Sequence, residues 1–170
     1  MCSNHLTQLT KREVITNFDV DKEVVQTENA PKAIGPYSVA IRYADLVFSS
    51  GQLGIDPVTG NLVDGGVEAE TRQALINLKN VLEAAGSSLE CVLKTTVFLH
   101  DINDFLKMNA VYATFFVENP PARSAVQVAA LPKGGAVEIE AVAYLPDDET
   151  DCDCEDCDED CDCDCHDQEQ

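Results

Sequence analysis

The segment PPARSAVQVAALP, residues 120–132, sets one arginine, Arg123, at the mouth of an apolar run. No acidic residue lies between Glu118 and Glu138. A guanidinium is rarely left in a protein interior without an acceptor, so Arg123 needs a partner from elsewhere. The next apolar run, AVEIEAVAYL, alternates. As a strand it carries Glu138, Glu140, Val142 and Tyr144 on one face and Val137, Ile139, Ala141 and Ala143 on the other. A hairpin through LPKGGA would bring Arg123 and Glu138 to one end, because they sit symmetrically about that turn. Two chemistries fit the spacing. One is an internal Arg–Glu ion pair. The other is a site in which guanidinium and carboxylate both face a ligand. Spacing leaves both open.

Three further segments have the residue types of a binding site. In VFSSGQLG a strand runs into Ser49-Ser50-Gly51, where the glycine either bends the chain or exposes backbone N–H groups to a ligand. In AIGPYS a Gly35-Pro36 turn presents Tyr37, as a core ring or as a hydroxyl donor. Asn109 lies between Met108 and Ala110 of a helix and faces either solvent or a ligand. A serine triad is not expected, because the histidines are His5, His100 and His166 and two of these lie in the terminal segments. No P-loop or dinucleotide fingerprint is present. Cys91 opens a strand and reads as a packing residue.

The elements that must hold these residues are legible from periodicity. SVAIRYADLVFSSGQ predicts two strands around a turn at Tyr43–Asp45, and DPVTGNLVDGG predicts a loop. VEAETRQALINLKNVLEAAG predicts a helix. Val67, Thr71, Ala74, Leu75, Leu78, Val81, Leu82 and Ala85 form its apolar stripe, and Gly86 its C-terminal cap. CVLKTTVFL predicts a strand rich in β-branched residues. DINDFLKMNAVYATFFVENPP predicts a second helix, capped by Asp101 or Asn103 and ended by Pro120-Pro121. Its stripe is Phe105, Met108, Val111, Tyr112, Phe115 and Phe116. Two final strands follow, joined by PKGG.

Two strand–helix–strand crossovers of the same hand place both helices on one face of a mixed sheet. The other face then needs cover, so a homo-oligomer with sites near subunit boundaries is expected.

The chain of 170 residues is long enough for one domain with a full core. No apolar run is long enough for a membrane span, and the N-terminus lacks the apolar stretch of a secretory signal. The net charge of −20 is lopsided: 14 of the 31 acids lie in residues 147–170, whereas all 11 Lys and Arg lie before them. No basic stripe suits nucleic acid, so none is expected as a partner.

Cysteine is split in the same way. Only Cys2 and Cys91 precede the tail, which argues for a reducing compartment: the cytoplasm, or alternatively the mitochondrion. The expected organisation is an extension over 1–20, a globular domain over 21–146 and a tail over 147–170. DCDCEDCDEDCDCDCHD cannot bury a core and reads as an acidic disordered tail. As the alternative, its Cys152, Cys154, Cys157, Cys161, Cys163, Cys165 and His166 form a set that can take soft metals.

Together TENAPKAIGPYSVA, FSSGQLGIDPVTG, LKNVLEAAGSSLECVLKTTVFL, DINDF, MNAVYATFF, PPARSAVQVAALPKG and VEIEAVA resemble the reactive-intermediate deaminases, the RidA or YjgF family. The likeness runs nearly without gaps from about Glu23 to Leu145 and is closest to the eukaryotic branch. It implies a chorismate-mutase-like α/β sandwich and a homotrimer with clefts between subunits. It implies hydrolysis of 2-imino acids such as 2-iminobutanoate and 2-iminopropanoate to 2-keto acids and ammonia, with no metal or cofactor. It places the essential arginine at Arg123 and the glutamate at Glu138, with Tyr37, Ser50, Gly51 and Asn109 around the substrate and Tyr37 and Ser50 as orienting donors. Many bacterial members have a cysteine where this chain has Ala125, so no thiol mechanism is implied. Family members have also been described as endoribonucleases that inhibit translation, and a non-catalytic ligand-sensing or chaperone-like trimer is a third reading.

Overall fold

The structure, a computed structural model, describes residues 21–146. The extension over 1–20 and the tail, with Cys152, Cys154, Cys157, Cys161, Cys163, Cys165 and His166, lie outside the described residues.

The order is β1 (Glu23–Val25), β2 (Ala40–Tyr43), β3 (Leu46–Ser49), β4 (Gln52–Leu53), α1 (Gly66–Ala84), β5 (Val92–Leu99), α2 (Phe105–Tyr112), β6 (Ala122–Gln127) and β7 (Val137–Tyr144), with single 3-10 turns before α2 and before β7. The strands form one mixed sheet in the order β1-β2-β3-β7-β5-β6, and β4 continues beside β3 along the same edge of β7. Only β5 and β6 run parallel.

Helix α1 forms where the stripe predicts it, and all eight stripe residues are buried. Gly86, at φ 81°, ends it. The Gly86 N–H donates to the Glu83 carbonyl and the Ser87 N–H to the Leu82 carbonyl, the Schellman closure that a left-handed glycine allows. Helix α2 is shorter than the sequence suggests. Asp101 accepts from the Asn103 N–H and caps the 3-10 turn ahead of it, and Phe115 and Phe116 fall beyond its end.

One core lies between the helices and one face of the sheet. It joins Leu75, Leu78 and Leu82 of α1, Met108 and Tyr112 of α2, and Val97, Ile139 and Ala141 of the strands. Truncating one of these leucines to alanine costs about 2–5 kcal/mol. The observed alternation of β7 is the expected one, with Val137, Ile139, Ala141 and Ala143 buried under the helices.

The expected hairpin is corrected. β6 and β7 do not pair; β5 lies between them, parallel to β6 and antiparallel to β7. Residue 128 donates its N–H to Leu99 at one edge of β5, while His100 donates to Ala136 at the other. The chain from 128 to 136 therefore passes over the end of β5 rather than turning back on β6. Lys133 (φ 57°) and Gly134 (φ 75°) make the bend.

Candidate functional site

Glu138 and Gly51 define one cluster. β3 and β4 are one strand broken at Ser50-Gly51, and the Ser49 hydroxyl fills the break by accepting the Ala141 N–H at 2.8 Å. Leu53 pairs with Glu138, which brings the glutamate beside Gly51. A Cβ at Gly51 would overlap the Glu138 carboxylate, with 2.6 Å to its Cδ, so this position must be glycine for Glu138 to lie where it does. Burial, followed by the neighbouring Glu140 charge, raises the Glu138 pKa above the usual glutamate value.

Tyr37 stands beside the cluster. Its N–H donates to the Gly35 carbonyl at 2.9 Å, and its hydroxyl accepts from the Ile34 N–H at 3.3 Å. Among the described residues its phenolic proton is donated to no neighbour. A shallow hollow between Tyr37 and Gly51 is walled by Lys32, Ile34, Leu53 and Ile55. A larger cavity of about 500 Å³, lined by Val24, Gln26, Glu28, Lys32 and Tyr37 among others, touches neither Arg123 nor Glu138. Its lining shares Tyr37 and Lys32 with the hollow but includes neither Arg123 nor Glu138, so size does not mark the site.

Ser50 is tied to the neighbouring loop. Its hydroxyl donates to the Ser38 carbonyl at 2.6 Å and its N–H to Val39 at 2.9 Å. The side chain therefore ties the Tyr37 loop to the segment that enters Gly51.

Arg123 heads a second cluster, on the edge strand β6. One terminal nitrogen donates to Asn109 Oδ1 at 2.8 Å. The guanidinium carbon lies 4.4 Å from the centre of the Tyr112 ring and 5.6 Å from that of Phe105. The Tyr112 hydroxyl bonds to that of Thr95 at 2.8 Å, and Thr95 is the strand partner of Arg123. No carboxylate among the described residues lies within ion-pair distance of Arg123. The internal Arg–Glu pair is thus not formed.

Register explains why. Arg123 pairs with Thr95, and Glu138 with Phe98. Thr95 and Phe98 are an odd number apart on β5, so Arg123 points to the helix face and Glu138 to the opposite one. They are separated by about 10 Å along the strand and about 10 Å across two strand spacings. One copy of the chain holds Tyr37, Gly51 and Glu138 together, and Arg123 with Asn109, but does not join the two groups.

The aromatic cradle of Arg123 is what a sequence reading misses, because Phe105 and Tyr112 look like ordinary core-stripe residues. The signal is that Phe105, Asn109 and Tyr112 recur at i, i+4 and i+7 and so share one face of α2.

No helix among the described residues is long and apolar enough to cross a membrane.

A family model described as Endoribonuclease L-PSP matches residues 27–145. The RutC family protein of Pyrococcus horikoshii is 58% identical over 123 residues, covering 72% of this chain and 98% of its own. Human 2-iminobutanoate/2-iminopropanoate deaminase is 53% identical over 122 residues, covering 72% and 89%. Among solved structures, RidA from the Antarctic bacterium Psychrobacter sp. superposes with a TM-score of 0.70 at 48% identity, over 72% of this chain and 99% of its own. Escherichia coli TdcF with bound serine does so with a TM-score of 0.70 at 42% identity, over 73% and 99%.

Proposed function

The chain belongs to the endoribonuclease L-PSP family, which includes the RidA proteins its motifs resemble, and from that premise we propose that it hydrolyses small 2-imino acids to 2-keto acids and ammonia, in sites completed between copies of a homotrimer. The observation that carries this reading is Arg123, a guanidinium held by an amide and two rings and left without a carboxylate. Its remaining N–H groups suit a carboxylate that arrives with a ligand, through two charge-assisted hydrogen bonds. The human relative's name and the serine bound by TdcF support a small amino-acid-like ligand.

An imine carbon beside a carboxylate is already electrophilic, so no covalent nucleophile is needed. Glu138 accepts a proton from water as the water oxygen bonds to C2 and the C=N bond becomes single. Glu138 then returns that proton to the nitrogen. As the C–N bond breaks, the new hydroxyl gives its proton through Glu138 to the departing amine, so that ammonia leaves and the keto oxygen remains. The raised pKa of Glu138 suits both halves of this exchange. Tyr37 orients the substrate with its available hydroxyl proton.

The opposed directions of Arg123 and Glu138 support sharing between copies. The helix-free face also exposes Phe48, Val126 and Tyr144, which a neighbouring copy would cover. Buried, unpaired Cys91 fits a reducing compartment, which we take to be the cytoplasm.

The test is a coupled assay. Threonine dehydratase supplies 2-iminobutanoate, and the full chain is expected to speed its disappearance; a rate equal to the uncatalysed one contradicts the reading. Ribonuclease action has the family description in its favour. It would be supported by RNA cleavage that survives purification and is lost with Arg123.

A further inference from the structure

We propose that Tyr112, locked by its hydrogen bond to Thr95, is a positioning residue that presents the Arg123 guanidinium to the substrate carboxylate. The inference rests on the carboxylate-binding reading of Arg123 given above.

A guanidinium can be fixed in two ways. A neighbouring carboxylate fixes it but takes up the same N–H fork that a ligand needs. An aromatic face fixes its plane through cation–π attraction and leaves the N–H groups at its rim available. Arg123 has the second arrangement, with Tyr112 at 4.4 Å and Phe105 at 5.6 Å. Asn109 takes one N–H and sets the rotation within that plane.

The Tyr112 ring is itself immobile for identifiable reasons. It is 5% exposed and packs on Phe116 at 4.6 Å between ring centres. Its hydroxyl bonds to Thr95, which is fully buried and needs that partner. Thr95 lies opposite Arg123 on the neighbouring strand. The ring that holds the guanidinium is therefore pinned to the same rung of the sheet from which the arginine springs. A phenylalanine would fill the space equally well, so the hydroxyl has a job beyond packing.

The carboxylate of a 2-imino acid is unchanged by hydrolysis. Its hold is the same in the ground and transition states, and loosening that hold raises KM and leaves kcat in place. The experiment measures kcat, KM and the Kd of 2-oxobutanoate for the full chain and for Tyr112→Leu, Tyr112→Phe, and Tyr112→Phe combined with Thr95→Val. Tyr112→Leu is expected to raise KM and Kd about 10-fold with kcat within about twofold. Tyr112→Phe alone strands the Thr95 hydroxyl and is expected to weaken binding about threefold, and adding Thr95→Val to restore it.

If Tyr112→Leu does not fold, the Phe and Phe/Val pair decides. A melting temperature that falls while Kd and KM stay at wild-type values overturns the inference. Should Arg123→Ala bind 2-oxobutanoate as tightly as wild type, the carboxylate reading itself fails, and this inference with it.

Discussion

Arg123 and Glu138 project from opposite faces of one sheet, two strands apart, and cannot meet within a single copy of the chain. Each is nevertheless prepared in its own cluster. Arg123 is held without a counter-charge, and Glu138 is half-buried against a glycine with its pKa raised.

On the proposed reading, replacing Arg123 by alanine removes two charge-assisted hydrogen bonds to the substrate carboxylate. Steady-state kinetics should show kcat/KM lower by about 10²- to 10⁴-fold. Size-exclusion chromatography should show an unchanged oligomer, because Arg123 makes no ion pair within the described fold. Wild-type turnover in this variant would remove Arg123 from the site.

On the proposed mechanism, Glu138 sets the pH behaviour. Its raised pKa means that the folded chain holds a proton which the unfolded chain has lost, so between the ordinary glutamate value of 4.5 and the raised one stability falls as pH rises. Glu138→Gln should therefore melt no lower than wild type at pH 8, while its kcat drops about 10²- to 10⁴-fold. Glu140→Gln removes one of the two causes of the shift and should move the acid limb of the kcat/KM profile to lower pH. A limb that stays in place would show that Glu138 does not govern it.

Gly51 keeps room for the carboxylate. In Gly51→Ala the new methyl group would displace the Glu138 carboxylate. Such overpacking costs about 1–3 kcal/mol. Thermal melting should show that loss, and turnover should fall with it, whereas wild-type stability and activity together would mean that Glu138 already lies elsewhere.

The tail is expected to be separable. The family match ends at residue 145 and the candidate residues lie between Tyr37 and Glu138, so a chain ending at Pro146 should keep kcat/KM within about twofold of the full chain. A zinc titration of the two forms, with thiol counting, tells an inert acidic tail from a metal-binding one.

Much of this molecule was legible in sequence because its signals are local. The eight-residue stripe and Gly86 define α1 without any tertiary information, and the alternation of β7 assigns each of its faces. What resisted was pairing. PKGG looks like a hairpin turn, but whether β7 joins β6 or the far edge of β5 depends on contacts distant in sequence. The chain's passage over the end of β5 separated two residues that spacing had placed together. β1 and β4, of three and two residues, are too short to show a period. The bond from Ser50 to Ser38, which joins two segments distant in sequence, was likewise not legible.

Co-assembly of two impaired variants, assayed at substrate well below KM, tests the central claim most directly. In an equal mixture of Arg123→Ala and Glu138→Gln chains, refolded or co-expressed as trimers, a site that takes Arg123 from one copy and Glu138 from the next is intact about one time in four, so about a quarter of wild-type imine hydrolysis should return. No recovery from mixed trimers, beside active wild type, would contradict a site shared between copies.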